Sequence, residues 1–538
     1  MDALTLEVAR HALAGIAEEM GAALRRTARS PNITEREDCS CALATPAGEM
    51  CAQAEHIPVH LGSMPASLAA VLDRFPDLQE GDAALVNDPF AGGTHLNDLT
   101  LVSPVFDEDR LLGYVANRAH HADVGGKVPG SMPGDSTEVF QEGVRFPPVL
   151  AWRAGVPDDA VLSVLAANSR TPAERRGDLL AQAGANVLGA QRLRALAARI
   201  GGGGLAAAMA GLIDYSERAV RAGIAALPDG SWSFEDVLDS DGAGSGPVRL
   251  AATVVIRGDE MVVDFTGTAA QTRGNVNAPL AVTVSAVTFV VRAVTGPDIP
   301  PTAGGMRPVT IVAPAGTIVN ARSPAAVSAG NVETSQRIVD VVFGALAQAL
   351  PGTIPAASQG TMNNLVIGNG PVMEPGVHPF AYYETIGGGQ GARPGITGGR
   401  AGMDGVHTGM TNTKNTPAEA LEYAYPLRVR RCELREGTGG AGRWRGGLGI
   451  RRDIEILCDT ATVSLQTDRR SRGPWGLAGG GDGAPGRNVL VRDGEETVLA
   501  DKVTLEARRG DVISVQTPGG GGWGVAEAPG RRTESPGL

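Results

Sequence analysis

Glycine restricts what this chain can fold into more than any other residue. It fills 74 of 538 positions, about twice its usual share, against only 10 Phe, 6 Tyr and 5 Trp. A backbone so rich in glycine makes many tight turns and loops. Hydrophobic residues still make up 43% of the chain, as in ordinary soluble proteins, and the length supports a large core divided among two to four lobes.

The periodicities predict an α+β fold with several lobes and mixed β-sheets. Leu4, Val8, Leu13, Ile16, Met20 and Leu24 recur at helical spacing and predict an amphipathic helix to about Ala28, ended by Ser30-Pro31-Asn32. Cys39 to Leu43 and Glu49 to Ala54 read as strands joined by Thr45-Pro46-Ala47-Gly48, and Met64 to Phe75 as a short helix. Ala83 to Val86, Leu99 to Phe106 and Leu111 to Ala119 read as further strands. Residues 157–228 turn helical, with Thr171 as a cap before Pro172 and the run Gly201 to Gly204 dividing two long helices. From about Trp232 to Asn320 the pattern is β-rich, including a hairpin around Arg257-Gly258-Asp259. Asn331 to Leu350 is expected to be a helix capped by Asn331, and short strands alternate with glycine-rich turns after Pro351. The expected organisation is a lobe over 1–150 carrying the candidate metal site and a helical segment over 151–230. An α/β lobe over 231–350, a glycine-rich β lobe over 351–525 and a disordered tail over 526–538 follow.

The formal net charge is -12 with no long basic run, which argues against nucleic acid as a partner. The amino terminus carries charges within its apolar pattern and does not read as a signal peptide. No apolar run reaches membrane-spanning length, so a cytoplasmic protein without membrane contact is expected. Five cysteines in a chain this long do not make a disulfide framework. Cys39, Cys41 and Cys51 fit no common structural zinc spacing and are expected to be buried thiols.

Chemistry concentrates in two runs of the first quarter, NDPFAGGTHLND (Asn87 to Asp98) and NRAHHADVGG (Asn117 to Gly126). Three of only eight histidines lie there, each close to an aspartate. Imidazole and carboxylate together suit divalent metals such as Zn, Mn or Fe. His95 and Asp98 sit in a loop where both side chains can turn to one point. The competing reading is a loop histidine satisfied by a carbonyl, with Asp98 capping the next element. His120 and His121 are adjacent at a strand end and point to opposite faces, so only one of them joins a metal. Asp123 is a candidate to orient that histidine. Asp38, within Glu35-Arg36-Glu37-Asp38, is a candidate fourth ligand or part of a solvated charge run. His56 and His60 are expected to line a pocket, since Pro58 between them argues against a helix that would align them. No G-x-x-x-x-G-K-[ST] loop and no G-x-S-x-G elbow is present, and DVGGK at Asp123 to Lys127 lacks the Thr-rich turn of an actin-like phosphate loop. No ATP site is expected on this chain.

These runs resemble the hydantoinase B/oxoprolinase family. The resemblance is carried by EHIPVHLGSM (Glu55 to Met64), NDPFAGGTHLNDLTLVSPVF (Asn87 to Phe106) and the run from Arg118 to Val149. DFTGTAAQTRGNVN, GNVETSQRIVD, YETIGGGQGARPG, HTGMTNTKNTPAEALE, GRWRGGLGIRRDIEIL and TPGGGGWG extend it over nearly the full chain. Cys39 departs from it, standing where the family more often has a bulky apolar residue. The resemblance implies a B subunit of an ATP-dependent amidohydrolase opening a hydantoin, 5-oxoproline or another lactam. It further implies an A-type partner subunit that binds ATP-Mg, in a heterotetramer. A divalent metal, Zn or Mn, would be held by Asp38, His95, Asp98 and His120. His121, Asp123 and Glu142 become candidates for orienting ligands or moving protons. A ketone carboxylase of the acetone or acetophenone type is the nearest alternative, and a non-catalytic scaffold for the A subunit is a third.

Overall fold

The computed structural model describes residues 2–54, 57–369, 378–395 and 398–526. The expected tail over 526–538 lies outside them save for its first residue. The fold is α+β, with four sheets among the described residues. The first is an antiparallel seven-stranded sheet of β1 (Cys39–Ala44), β2 (Met50–Ala54), β3 (Ala83–Val86), β4 (Asp98–Asp107), β5 (Arg110–His120), β6 (Val149–Arg153) and β7 (Val156–Pro157). Its order is β2-β1-β5-β4-β3-β6-β7, which puts β5 between β1 and β4 at the centre. The turn at Thr45 to Gly48 joins β1 to β2 as expected, with Gly48 at φ 82°.

One face of this sheet is covered by α1 (Ala3–Thr27) and by the long helix Pro172–Ile200. Asp2 caps α1 by accepting the Thr5 amide, and Arg25 and Arg26 close its last turn, matching the helix dipole. Leu13, Ile16, Met20 and Leu24 are buried, whereas Leu4 and Val8, expected in the same stripe, are exposed. Cys39, Cys41 and Cys51 join this core as buried thiols, and burial pushes Cys39 and Cys51 up to about 12. Among the described residues no single helix is long and apolar enough to cross a membrane. The pair Pro172–Ile200 and Gly202–Ala225, bent by 107° at Gly201, meets that test only jointly.

The second sheet, β8 (Gly230–Leu238), β9 (Val248–Arg257), β10 (Glu260–Asp264) and β11 (Val309–Val312), contains the expected hairpin and one parallel pair, β10 with β11. The β-rich expectation for this stretch fails at Leu280–Thr295, which is helical. Its Val and Thr residues favour strands, but packing of Val282, Ala286, Val287 and Val290 into the core overrides that preference. Asn331 is not a cap. It lies within a single wide turn, Gly330–Thr334, that leads straight into the helix Ser335–Ala349. Thr171 precedes Pro172 but makes no side-chain cap bond.

After residue 363 come two antiparallel sheets, β13-β12-β16-β19 and β14-β15-β20-β17-β18. They comprise β12 (Asn364–Asn369), β13 (Ala381–Glu384), β14 (Leu427–Arg435), β15 (Gly449–Ile456) and β16 (Thr460–Gln466). β17 (Arg487–Arg492), β18 (Glu495–Leu499), β19 (Lys502–Arg508) and β20 (Val512–Gln516) complete them. The glycine runs between these strands do more than turn. A Cβ on Gly446 would lie 1.9 Å from the Gly520 carbonyl oxygen, so backbone packs directly on backbone there.

The turn at Gly330 generates a prediction. A Cβ there would lie 1.9 Å from the carbonyl oxygen of Asn277, whose own side chain is tied to Thr272, Gly274 and Ala326. Gly330→Ala should destabilise the fold by about 1–3 kcal/mol, read as a lower denaturant midpoint. An unchanged midpoint would show that the turn yields freely.

Candidate metal centre

The register of the first sheet assembles the site. Asp98, the first residue of β4, pairs directly across from His120, the last of β5. On the other side Cys39 pairs with Ala119, and the His120 amide donates to the Asp38 carbonyl at 3.1 Å. Asp38, immediately before β1, and Asp98, at the start of β4, therefore flank His120 at the end of β5. His95 comes from the turn before β4, in which the Asp98 amide donates to the His95 carbonyl. That loop is held by Asn87, whose side chain donates to the carbonyls of Leu96 and Val144 and accepts from the Phe146 amide. A Cβ on Gly92 would lie 2.3 Å from the Ala66 carbonyl, which explains glycine there.

His95 Nε2 lies 3.1 Å and His120 Nδ1 3.4 Å from Asp98 Oδ1, and His120 Nδ1 lies 4.0 Å from Asp38 Oδ2. One donor atom each of His95, Asp98 and His120 falls within 4.8 Å of the others, and all three residues are buried. Burial alone would raise the Asp98 carboxyl, yet His95, His120 and His60 around it hold it well below the usual carboxylate range. Burial pushes the His120 imidazole down, although Asp98 and Asp38 oppose the shift. Both ring nitrogens of His95 and Nε2 of His120 are buried without a hydrogen bond. The His95–Asp98 contact is close but lacks hydrogen-bond alignment. Each unmet nitrogen costs about 1–3 kcal/mol unless something else meets it. Two imidazoles and two carboxylates around a cavity of about 20 Å³ suit one divalent ion.

Of the other expected site residues, His60 belongs here. It is buried, lines the cavity, has Nε2 3.6 Å from Asp98 Oδ2, and shares a 2.9 Å hydrogen bond from Nδ1 with Ser40. His56 lies outside the described residues. His121, Asp123 and Glu142, expected to orient ligands or move protons, do not line the cavity. His121 points to the opposite face, as strand alternation demands, and its Nε2 bonds Gln182 at 2.8 Å. Asp123 accepts from the amides of Gly125, Gly130 and Arg170, which fixes the loop after β5. Glu142 accepts from the amides of Val327 and Ser328 and from Ser136, joining that loop to the segment before Gly330. The hydrogen bonds these three side chains make go to partners away from the cavity, and His121 Nδ1 is buried without one.

Residues from distant segments complete the walls. The Tyr383 ring stacks on His120 at 4.5 Å and 6°, and the Arg36 guanidinium lies 4.8 Å from the Tyr383 centroid. Arg36 donates to the Tyr383 carbonyl, to Asn32 and to Thr385, so it fastens that strand to the start of β1. Tyr383 donates its hydroxyl to Asn364, which donates to Glu333. Burial pushes the Glu333 carboxyl up to about 7, aided by Asp468. Asn331 lines the cavity with its buried Oδ1 unpartnered. The runs GNVETSQRIVD and YETIGGGQGARPG contain Asn331, Glu333 and Tyr383, but nothing in their local pattern singles those residues out.

Tyr383 therefore fixes the plane of His120. Tyr383→Leu should weaken Zn or Mn binding about tenfold in a chelator competition, whereas Tyr383→Phe, which keeps the ring, should bind nearly normally. Equal affinity in Tyr383→Leu would remove the stack from the account.

The hydantoinase B/oxoprolinase family profile matches residues 2–526. The chain is 42% identical over 528 residues to the uncharacterized protein MJ0963 of Methanocaldococcus jannaschii, covering 97% of this chain and 91% of that one. It is 38% identical over 551 residues to 5-oxoprolinase 1 of Arabidopsis thaliana, covering 97% of this chain but only 42% of that protein. It thus spans about two fifths of that relative. The crystal structure of ATP-dependent caprolactamase from Pseudomonas jessenii superposes with a TM-score of 0.88 at 30% identity, covering 98% of this chain and 91% of that one. With the profile spanning nearly every residue and both fold and sequence agreeing, the chain belongs to the hydantoinase B/oxoprolinase family.

Proposed function

We propose that this chain is the metal-holding B subunit of an ATP-dependent amidohydrolase that opens a cyclic amide, with ATP bound by a separate A-type subunit. The observation that carries the reading is the buried His95–Asp98–His120 cluster with its unpartnered ring nitrogens. The similarity to a 5-oxoprolinase and to an ATP-dependent caprolactamase supports the cyclic-amide class.

An unstrained lactam resists attack by water, and phosphoryl transfer on the partner would supply the activation. A divalent ion bound here would polarise a carbonyl or lower the pKa of a water toward neutrality. Asp38, His95, Asp98 and His120 would hold it. Thr94 donates to Asp98 Oδ2 at 2.6 Å, and His60 approaches the same oxygen at 3.6 Å, so Oδ1 is left toward His95 and His120. Ser40 fixes the His60 ring. The narrow cavity keeps bulk water away from these groups.

His95→Ala should lose the metal and at least 100-fold of the activity while keeping its circular dichroism spectrum and its partner. Elemental analysis and turnover measured on the same preparation check this, and full activity in the variant would sink the assignment. The isolated chain should show no heat of ATP binding by calorimetry, and micromolar affinity would place the nucleotide site here instead. Turnover assays with a hydantoin, 5-oxoproline and caprolactam, run beside acetone with labelled bicarbonate, separate hydrolysis from carboxylation. Label fixed into acetoacetate would replace the amidohydrolase reading.

A further inference from the structure

Among the described residues that line the metal-site cavity, four buried polar atoms have no hydrogen-bond partner. They are both ring nitrogens of His95, Nε2 of His120 and Oδ1 of Asn331. The nitrogens belong to candidate ligands. Asn331 Oδ1 is the one oxygen of the four, and an amide oxygen can only accept. Asn331 is not among the four ligands that the family resemblance implies.

The backbone around Asn331 explains why its side chain finds no partner elsewhere. The wide turn Gly330–Thr334 is buried at all five positions. The Gly330 amide donates to the Asn275 and Val327 carbonyls at 3.0 Å, and the Asn331 amide donates to the Val327 carbonyl at 3.3 Å. The Ser335 hydroxyl donates to the Asn331 carbonyl at 2.7 Å. Glu333 accepts from the Met362 amide and from the Asn364 side chain. Both main-chain groups of Asn331 are thus engaged, and the turn is pinned along its length. Turns of this width are rare inside helices and gather at functional sites. The amide oxygen of Asn331 is left facing a demand that only a donor or a cation can meet.

The size of the cavity favours the cation. At about 20 Å³ it holds one water or one ion. A hard cation sits about 2.0–2.6 Å from an oxygen ligand, closer than a water can, so an oxygen too enclosed for hydration still suits an ion. The nitrogens of His95 are enclosed to the same degree. Coordination number then separates the two metals. Asp38, His95, Asp98 and His120 offer four donors, which already fill a tetrahedral zinc. A neutral carbonyl oxygen as a fifth donor suits an octahedral ion that favours oxygen, and Mn(II) meets that description better than Zn(II). Six-coordinate Mn(II) with five protein donors would also keep one position open.

We infer that Asn331 is a fifth protein donor to the ion, through its amide oxygen, and that it sets a preference for Mn(II) over Zn(II). The inference rests on the metal-centre reading above and adds a ligand and a selectivity to it.

Two measurements on the full chain test it, after its metal is stripped and replaced with Mn(II) or Zn(II). The first is pulsed electron-nuclear double resonance on the Mn(II)-loaded chain, made with asparagine labelled with carbon-13 at its side-chain carbonyl. A carbon-13 coupling is expected in the wild type, and its loss is expected in Asn331→Leu. The second is chelator competition. Asn331→Leu should weaken Mn(II) at least tenfold and Zn(II) less than about threefold, a split that a wall residue of purely structural role would not produce. Asn331→Asp, which keeps an oxygen donor, should hold Mn(II) within about threefold of the wild type. If Asn331→Leu does not fold, the wild-type coupling and Asn331→Asp decide. No coupling in the wild type, a coupling that persists in Asn331→Leu, or equal effects on the two ions would each overturn the inference. Binding of Mn(II) without the coupling leaves the metal centre standing and overturns only the role of Asn331. A chain that binds neither ion sinks the metal reading itself, so the two failures are distinguishable.

Discussion

The pairing of β4 with β5 in a single register is the constraint on which the candidate centre depends. Asp98 faces His120 across that pair, and β1 on the other side of β5 brings Asp38 alongside. A slip of one residue would send His120 to the face where His121 meets Gln182 and would break the set. The register is held by more than the ladder. Asn97 donates its side-chain amide to the His121 and Gly130 carbonyls, and the His121 amide returns a bond to the Asn97 carbonyl. Arg118, buried two residues before His120, bonds Thr100, Ser63 and Ser67 and so locks the strand pair to the helix Ser63–Arg74.

A site built on one sheet end would be open to water. Here it is closed from the other side by the turn at Gly330–Thr334, by β13 and by the segment carrying Thr411 and Thr413. Arg36 is the fastening, because its guanidinium reaches Asn32, Thr385, Thr413 and the Tyr383 carbonyl at once. Closure has two effects on the chemistry. It strengthens every electrostatic contact around Asp98, and it leaves room for one small guest beside the histidines while a larger chamber stands next to it. The wide turn that carries Asn331 fits this picture, since such turns interrupt regular helices where a side chain must be aimed.

Much of this was legible locally. Strand alternation separates His120 from His121, helical spacing finds the first and the long central helices, and Gly201 marks the bend between two of them. The expectations that failed did so where distant contacts decide. Leu280–Thr295 carries the composition of a strand and is helical because of what it packs against. His121, Asp123 and Glu142 lie close in sequence to the cluster, and their positions off the cavity are set by hydrogen bonds to loops and to a neighbouring helix that no local pattern shows. Tyr383 and Asn331 are separated from His120 by over two hundred residues and carry no local pattern that could announce them. The residues around Asp38 left it either a fourth ligand or one charge among several, and family resemblance favoured the first.

The account stands or falls on an ion at the centre of the three strands. The most direct measurement is an anomalous difference map from crystals of the purified complex, recorded on both sides of the absorption edge of the metal it contains. The account predicts one peak inside the cavity, about 2.0–2.3 Å from donor atoms of His95, Asp98 and His120. A metal-replete crystal with no peak there, or with its peak elsewhere in the chain, would contradict it.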